Sequence, residues 1–121
     1  MRLAGLVVAI SLFFAACGDD GDSAGPETTT DPQSSADVVI SLEIIDGDLV
    51  GGSRQQDVEI ADSVEVVVSG NTDDKVHIHG YDLFVDLEDG AGRTAFDALI
   101  PGTFEIELED SSRLLIRMTV S

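Results

Sequence analysis

Phe104-Glu105-Ile106-Glu107-Leu108-Glu109 alternates apolar and acidic side chains without a break, the pattern of a β-strand with one dry face and one wet face. The same period of two recurs on either side. Val64, Val66 and Val68 share a face within Ser63–Ser69, and Leu114, Ile116, Met118 and Val120 alternate with Arg113, Leu115, Arg117 and Thr119. Val38–Ile45 is rich in β-branched residues, a further strand begins at Val58, and Leu83–Leu87 and Arg93–Ala98 complete the set. Turn-forming residues separate them: Asp46-Gly47-Asp48, Gly51-Gly52-Ser53, Ala61-Asp62, Gly70–Asp74, Glu88–Gly92, Pro101-Gly102 and Glu109–Ser112. No segment sustains a 3.6-residue amphipathic period over three turns. Seven or eight short strands, with turns about every eight to twelve residues, predict an all-β, antiparallel Greek-key sandwich over residues 37–121. That length suffices for one small domain.

Both histidines and the only tyrosine fall in one stretch, Asp74-Lys75-Val76-His77-Ile78-His79-Gly80-Tyr81-Asp82-Leu83. On an extended strand His77 and His79 point to one side, Val76 and Ile78 to the other. Two imidazoles on one face can share a metal ion. Asp73, Asp74 and Asp82 are the nearby carboxylates, and two His with one carboxylate suit Cu(II) or Zn(II). The candidate ligand set is His77, His79 and Asp82. The alternative is structural, with the imidazoles satisfying backbone groups at a strand end, Tyr81 packing and Asp82 pairing a histidine. Met118 alternates with core residues and belongs with them rather than with a metal.

The first residues have a different character. Arg2 precedes an apolar run from Leu3 to Phe14, followed by Ala15, Ala16 and Cys17, the layout of a secretory signal peptide (residues 1–16) and too short for a comfortable membrane span. Phe14-Ala15-Ala16-Cys17 resembles the bacterial lipobox, in which the cysteine is lipidated and becomes the new N-terminus. Cys17 is the only cysteine, so no internal disulfide can form and an exported thiol would otherwise go unpaired. Residues 18–36 hold no large apolar side chain and read as a disordered acidic tether. As a flexible coil it would reach roughly 25 Å. The expectation is a lipoprotein held on the extracytoplasmic side of a cell membrane through Cys17.

The chain carries 6 Lys/Arg against 24 Asp/Glu. Loss of residues 1–16 removes Arg2 and no acid, leaving a formal charge of −19. Such a field repels phosphate backbones, which excludes nucleic acid as a partner, and it attracts cations. There is no Gly-rich phosphate loop, no Gly-x-Ser-x-Gly elbow and no nucleophile–base pair, so an enzyme is not expected. Glu105, Glu107 and Glu109 read as a solvated strand face.

The order of a Val-rich strand, a polar loop, Val-His, a Gly turn, Arg-Thr-Ala-Phe, Pro-Gly-Thr-Phe and a closing strand resembles the cupredoxins. Among them it is most like the copper-bearing subunit of cytochrome oxidase and bacterial cupredoxin-like lipoproteins. Asp74-Lys75-Val76-His77 matches the family's Asp-x-x-His, and Arg93 to Phe104 its Arg-Thr-x-Phe-x-Ala-x-x-Pro-Gly-x-Phe. The resemblance covers residues 38–121 and implies a cupredoxin-like sandwich. It fails at one place. Copper-carrying members end the strand after Pro-Gly-x-Phe in a cysteine and supply a histidine and usually a methionine from the loop beyond. Here that place reads Glu107-Leu108-Glu109-Asp110-Ser111-Ser112-Arg113. A blue-copper centre needs a thiolate and two imidazoles, and residues 18–121 contain no cysteine. Two functions stay open: a tethered binder of Cu(II) or Zn(II), or a metal-free structural or protein-interaction lipoprotein with a degenerate copper site.

Overall fold

A computed structural model describes residues 34–121. The signal peptide, Cys17 and nearly all of the tether lie outside the described residues. Among the latter there is no helix long and apolar enough to cross a membrane.

The described chain is an all-β sandwich of nine strands. In order they are β1 (Val38–Ile45), β2 (Asp48–Leu49), β3 (Arg54–Val58), β4 (Ser63–Gly70), β5 (Val76–Ile78), β6 (Leu83–Val85), β7 (Ala91–Asp97), β8 (Gly102–Leu108) and β9 (Arg113–Val120). The count exceeds the seven or eight expected because β2 is only two residues long, too short to show a period. One sheet runs β2-β1-β4-β7 and the other β3-β9-β8-β5-β6.

Two pairings depart from an all-antiparallel arrangement: β1 lies parallel to β4, and β3 parallel to β9. The chain repeatedly changes sheet, and β1 and β4 are separated by an excursion through β3, so they meet running the same way. Local turn chemistry sets the rest. Asp46 and Gly47 both have positive φ (53° and 83°) and join β1 to β2 as a two-residue hairpin, the arrangement that matches strand twist. At the start of β1 the Ser63 hydroxyl and backbone N–H donate to the Asp37 carboxylate, which holds its carboxyl below the ordinary value.

The core lies between the sheets. Ile40, Leu42 and Ile44 of β1 and Val64, Val66 and Val68 of β4 face Val76 and Ile78 of β5, Ile106 and Leu108 of β8, and Ile116, Met118 and Val120 of β9. Met118 is fully buried among them. Leu115 is buried as well, against the expected alternation. The register between β8 and β9 shifts between Ile106 and Glu107, so Ile106 pairs with Ile116 and Glu107 with Leu114. Leu115 is the extra residue of a β-bulge, and the inward parity changes there. On the wider surface, Arg93 meets Glu65, Arg113 meets Asp48, Arg117 meets Glu105 and Arg54 donates to the Ser41 carbonyl. Internal acceptors thus engage the arginines of an already acidic domain.

Gly70 ends β4 at φ 137°, and a Cβ there would overlap the carbonyl oxygen of Ile44 on β1. Gly47 has no heavy atom near its missing Cβ. Gly70→Ala should therefore cost more than the about 1–3 kcal/mol of a disfavoured backbone conformation alone. Gly47→Ala should cost no more than about 1–2 kcal/mol. Chemical denaturation of the two variants checks the order.

Candidate metal centre

β5 lies between β8 and β6. His77 is paired in register with Glu107 on one side and Phe84 on the other. Val76 and Ile78 point into the core, so His77 is forced onto the outer face, and His79 follows one pleat further on, its backbone N–H bonded to the Glu105 carbonyl. The expected sharing of one face by the two imidazoles is present, with ring centres 4.2 Å apart.

Carboxylates of β8 and of the turn just after it reach them diagonally. His79 Nε2 lies 2.5 Å from Glu107 Oε1, and His77 Nδ1 lies 2.8 Å from Glu109 Oε2. The second approach is off the angle a hydrogen bond requires, and His77 Nδ1 is buried with no hydrogen-bond partner. His77 Nε2 is 3.6 Å from Asp82 Oδ1, whose side chain is 90% exposed. Donor atoms of His77, His79 and Glu107 all fall within 4.8 Å of one another. The rings thus meet carboxylates instead of strand-end backbone groups. Phe84 stacks on His77 at 4.2 Å and 8° between planes, which fixes the inner imidazole, while the Lys75 ammonium sits 5.8 Å from the far ring's centre.

Glu107 is the member that sequence reasoning missed. It was read as part of a solvated strand face, yet its side chain is only 16% exposed, against 48% for Glu105. The alternation gave its outward direction, but the pairing of β8 with β5, separated by two other elements, put it beside the histidines. Asp82 stands near His77 as expected without belonging to the tightest group. Asp73 and Asp74 are not brought into that group either. Asp74 is engaged elsewhere: its carboxylate accepts from the Asp110 and Ser111 backbone N–H groups and from the Ser111 hydroxyl. It thereby closes the turn that stands where the resemblance would place a Cys-His-Met loop. Tyr81 packs against Phe96 and Phe104, and its hydroxyl donates to the Ile100 carbonyl and accepts from the Ile100 N–H.

Comparison of the whole domain identifies the architecture. It is similar to a copper-binding protein solved by NMR in its apo form, with a TM-score of 0.56 and 12% identity over 74% of this chain and 93% of that one. It is also similar to a chain of a heme-copper terminal oxidase dimer solved by cryo-EM, with a TM-score of 0.50 and 13% identity over 70% of this chain and 65% of that one. The fold is a cupredoxin-like β-sandwich. No known family and no curated protein matches the sequence.

Burial is the largest single influence on the Asp74 carboxyl and raises it, but the donors from Asp110, Ser111 and the Lys75 backbone together outweigh it and hold it below the ordinary 3.8. A depressed folded value means that these bonds stabilise the fold above the ordinary value and are lost as pH falls through the lowered one. Asp74→Asn should lower stability at neutral pH, with the gap from wild type closing as pH drops below about 3.8. Denaturant midpoints measured from pH 7 to pH 2 test the sign.

Proposed function

We propose that the protein is a membrane-tethered, extracytoplasmic metal-binding module. It holds a divalent transition-metal ion, Cu(II) or Zn(II), through His77, His79 and Glu107. The observation that carries this reading is the gathering of donor atoms from His77, His79 and Glu107 within 4.8 Å of one another, together with a buried His77 Nδ1 that has no hydrogen-bond partner. An unsatisfied buried polar atom costs about 1–3 kcal/mol, which a metal–nitrogen bond would remove. Two donors on one such ion lie at most about 4.4 Å apart, since each bond is about 2.0–2.2 Å. Groups already within 4.8 Å therefore close on an ion by small side-chain rotations. Glu109 and Asp82 add negative charge beside His77, which favours a cation.

The copper-binding protein among the fold neighbours supports the metal class by analogy, and an anchor at Cys17 rests on the signal-like N-terminus. On this reading the protein binds and presents a metal and is not an enzyme. Blue-copper electron transfer is excluded by chemistry, because the residues around the cluster offer imidazole and carboxylate and no thiolate. The second reading, a metal-free interaction module, draws on the Asp74-closed turn in place of a copper loop.

Calorimetric titration of the purified protein with Cu(II), and separately with Zn(II), decides between them. One-to-one binding is expected. His77→Ala/His79→Ala should abolish it, and Glu107→Gln should weaken it by at least the about 10–100-fold that loss of a supporting ligand partner carries. Absence of binding, or binding indifferent to the double substitution, would leave the metal-free reading. Cys17→Ser should move the protein from the membrane to the soluble fraction on cell fractionation.

A further inference from the structure

Away from the histidines, one end of the sandwich carries three of the large apolar side chains that the fold leaves exposed. There the turn Glu59–Asp62 joins β3 to β4, and Ala98–Pro101 joins β7 to β8. Leu99 is 65% exposed, Ile60 51% and Ile100 46%. Single apolar residues scattered on a surface are ordinary. These three sit on two turns bonded to each other: the Ala61 N–H donates to the Ala98 carbonyl, and the Ala98 N–H to the Asp62 carbonyl. The Tyr81 hydroxyl bonds both the carbonyl and the N–H of Ile100, which fixes that residue in place.

The backbone donors of this tip need no water. The Glu59 N–H donates to the Asp62 carboxylate, the Ile60 N–H to the Ser121 carbonyl, the Asp62 N–H to the Glu59 carbonyl and the Leu99 N–H to the Asp97 carbonyl. With the bonds of Ala61, Ala98 and Ile100, every N–H from Glu59 to Asp62 and from Ala98 to Ile100 has a partner inside the protein. Pro101 has no N–H to satisfy. Exposed turns can leave such donors to water. A surface that enters an apolar medium cannot, because nothing there accepts them.

Asp37, just before β1, is bonded to Ser63 at the start of β4, so residues 18–36 join the domain beside the Glu59–Asp62 turn. A coil of that length reaches roughly 25 Å. With Cys17 in the bilayer it brings this end within reach of the lipid, whereas the β8–β9 turn lies at the far end. Tethering raises the effective concentration of the tip at the surface, so a small apolar contact suffices to dock it. We propose that Ile60, Leu99 and Ile100 insert at the boundary between headgroups and acyl chains and seat the domain on the membrane. The proposal rests on the reading of Cys17 as a lipid anchor. Glu59, Asp62 and Asp97 flank the three residues in sequence, so the surface that fits is one of zwitterionic headgroups and not of anionic lipid.

The test uses the protein purified from membranes and reconstituted in phosphatidylcholine vesicles. The chain has no tryptophan. Leu99→Trp therefore places a single reporter on the tip, and Ile45→Trp, at the exposed last residue of β1, places one at the opposite end. Emission from position 99 should shift to the blue and be quenched by brominated phosphatidylcholine, and emission from position 45 should do neither. Replacing part of the phosphatidylcholine with phosphatidylglycerol should reduce the quenching at position 99. Emission at 99 that behaves like that at 45, in protein that still floats with the vesicles, would overturn the docking and leave the anchor intact. Protein whose Cys17 carries no lipid by mass spectrometry would overturn the anchor, and the docking with it. A blue shift at 99 that grows with protein density and resists brominated lipid would assign the tip to a second copy of the chain and overturn the proposal.

Discussion

The pairing of β5 with β8 is the constraint on which the candidate site depends. Val76 and Ile78 on one strand and Ile106 and Leu108 on the other are fully buried against the opposite sheet. A slip of one residue in either strand would turn its apolar pair outward and its polar residues inward. Exposing those two side chains would cost about 1.5–3 kcal/mol each. Together that is a large share of the whole stability of a small domain, about 5–15 kcal/mol. Hydrophobic burial therefore fixes the register, and the register places His77 beside Glu107 as a geometric consequence. The imidazole–carboxylate contacts need not be strong to persist.

The same logic explains why the site is on the outer face of a sheet and not at the end of the sandwich. The connection between β8 and β9, where the cupredoxin resemblance would supply a copper loop, is a short turn whose backbone N–H groups are taken up by Asp74. Asp74 immediately precedes the Lys75-Val76-His77 segment, so one loop both closes that turn and starts the strand that carries the histidines. Chemistry available on the neighbouring strands is nitrogen and oxygen only. The fold and the side chains gathered on it thus point in different directions: the sandwich is similar to that of a copper-binding protein, while the groups that meet on its outer face offer nitrogen and oxygen and no sulfur.

Acidity acts at two scales. Across the domain it is tempered by Lys75 and a few arginines, the arginines each drawn to an internal acceptor. Locally, Glu107, Glu109 and Asp82 converge on two imidazoles, with Arg117 committed to Glu105 and Lys75 lying over Phe84. The long-range field raises the local concentration of cations, and the short-range cluster supplies the donors.

Much of the fold was legible because period two is a local property. Alternation in Ser63–Ser69 and Phe104–Glu109 revealed strands and their dry faces, and Asp46-Gly47-Asp48 revealed a turn, from neighbours in the chain alone. The two-residue β2 carried too little pattern to be seen, and the Leu115 bulge reversed a parity that alternation extended too far. Sequence by itself determined that His77 and His79 share a face, that no blue-copper centre can form and that the domain is strongly acidic. Only the tertiary structure decided which carboxylates meet them. Candidates chosen for nearness in the chain included Asp73 and Asp74, and the structure brought Glu107 and Glu109 instead, about thirty residues away. Strand order and register are set by packing the whole core, a non-local quantity, and no spacing within Asp74–Leu83 contains it.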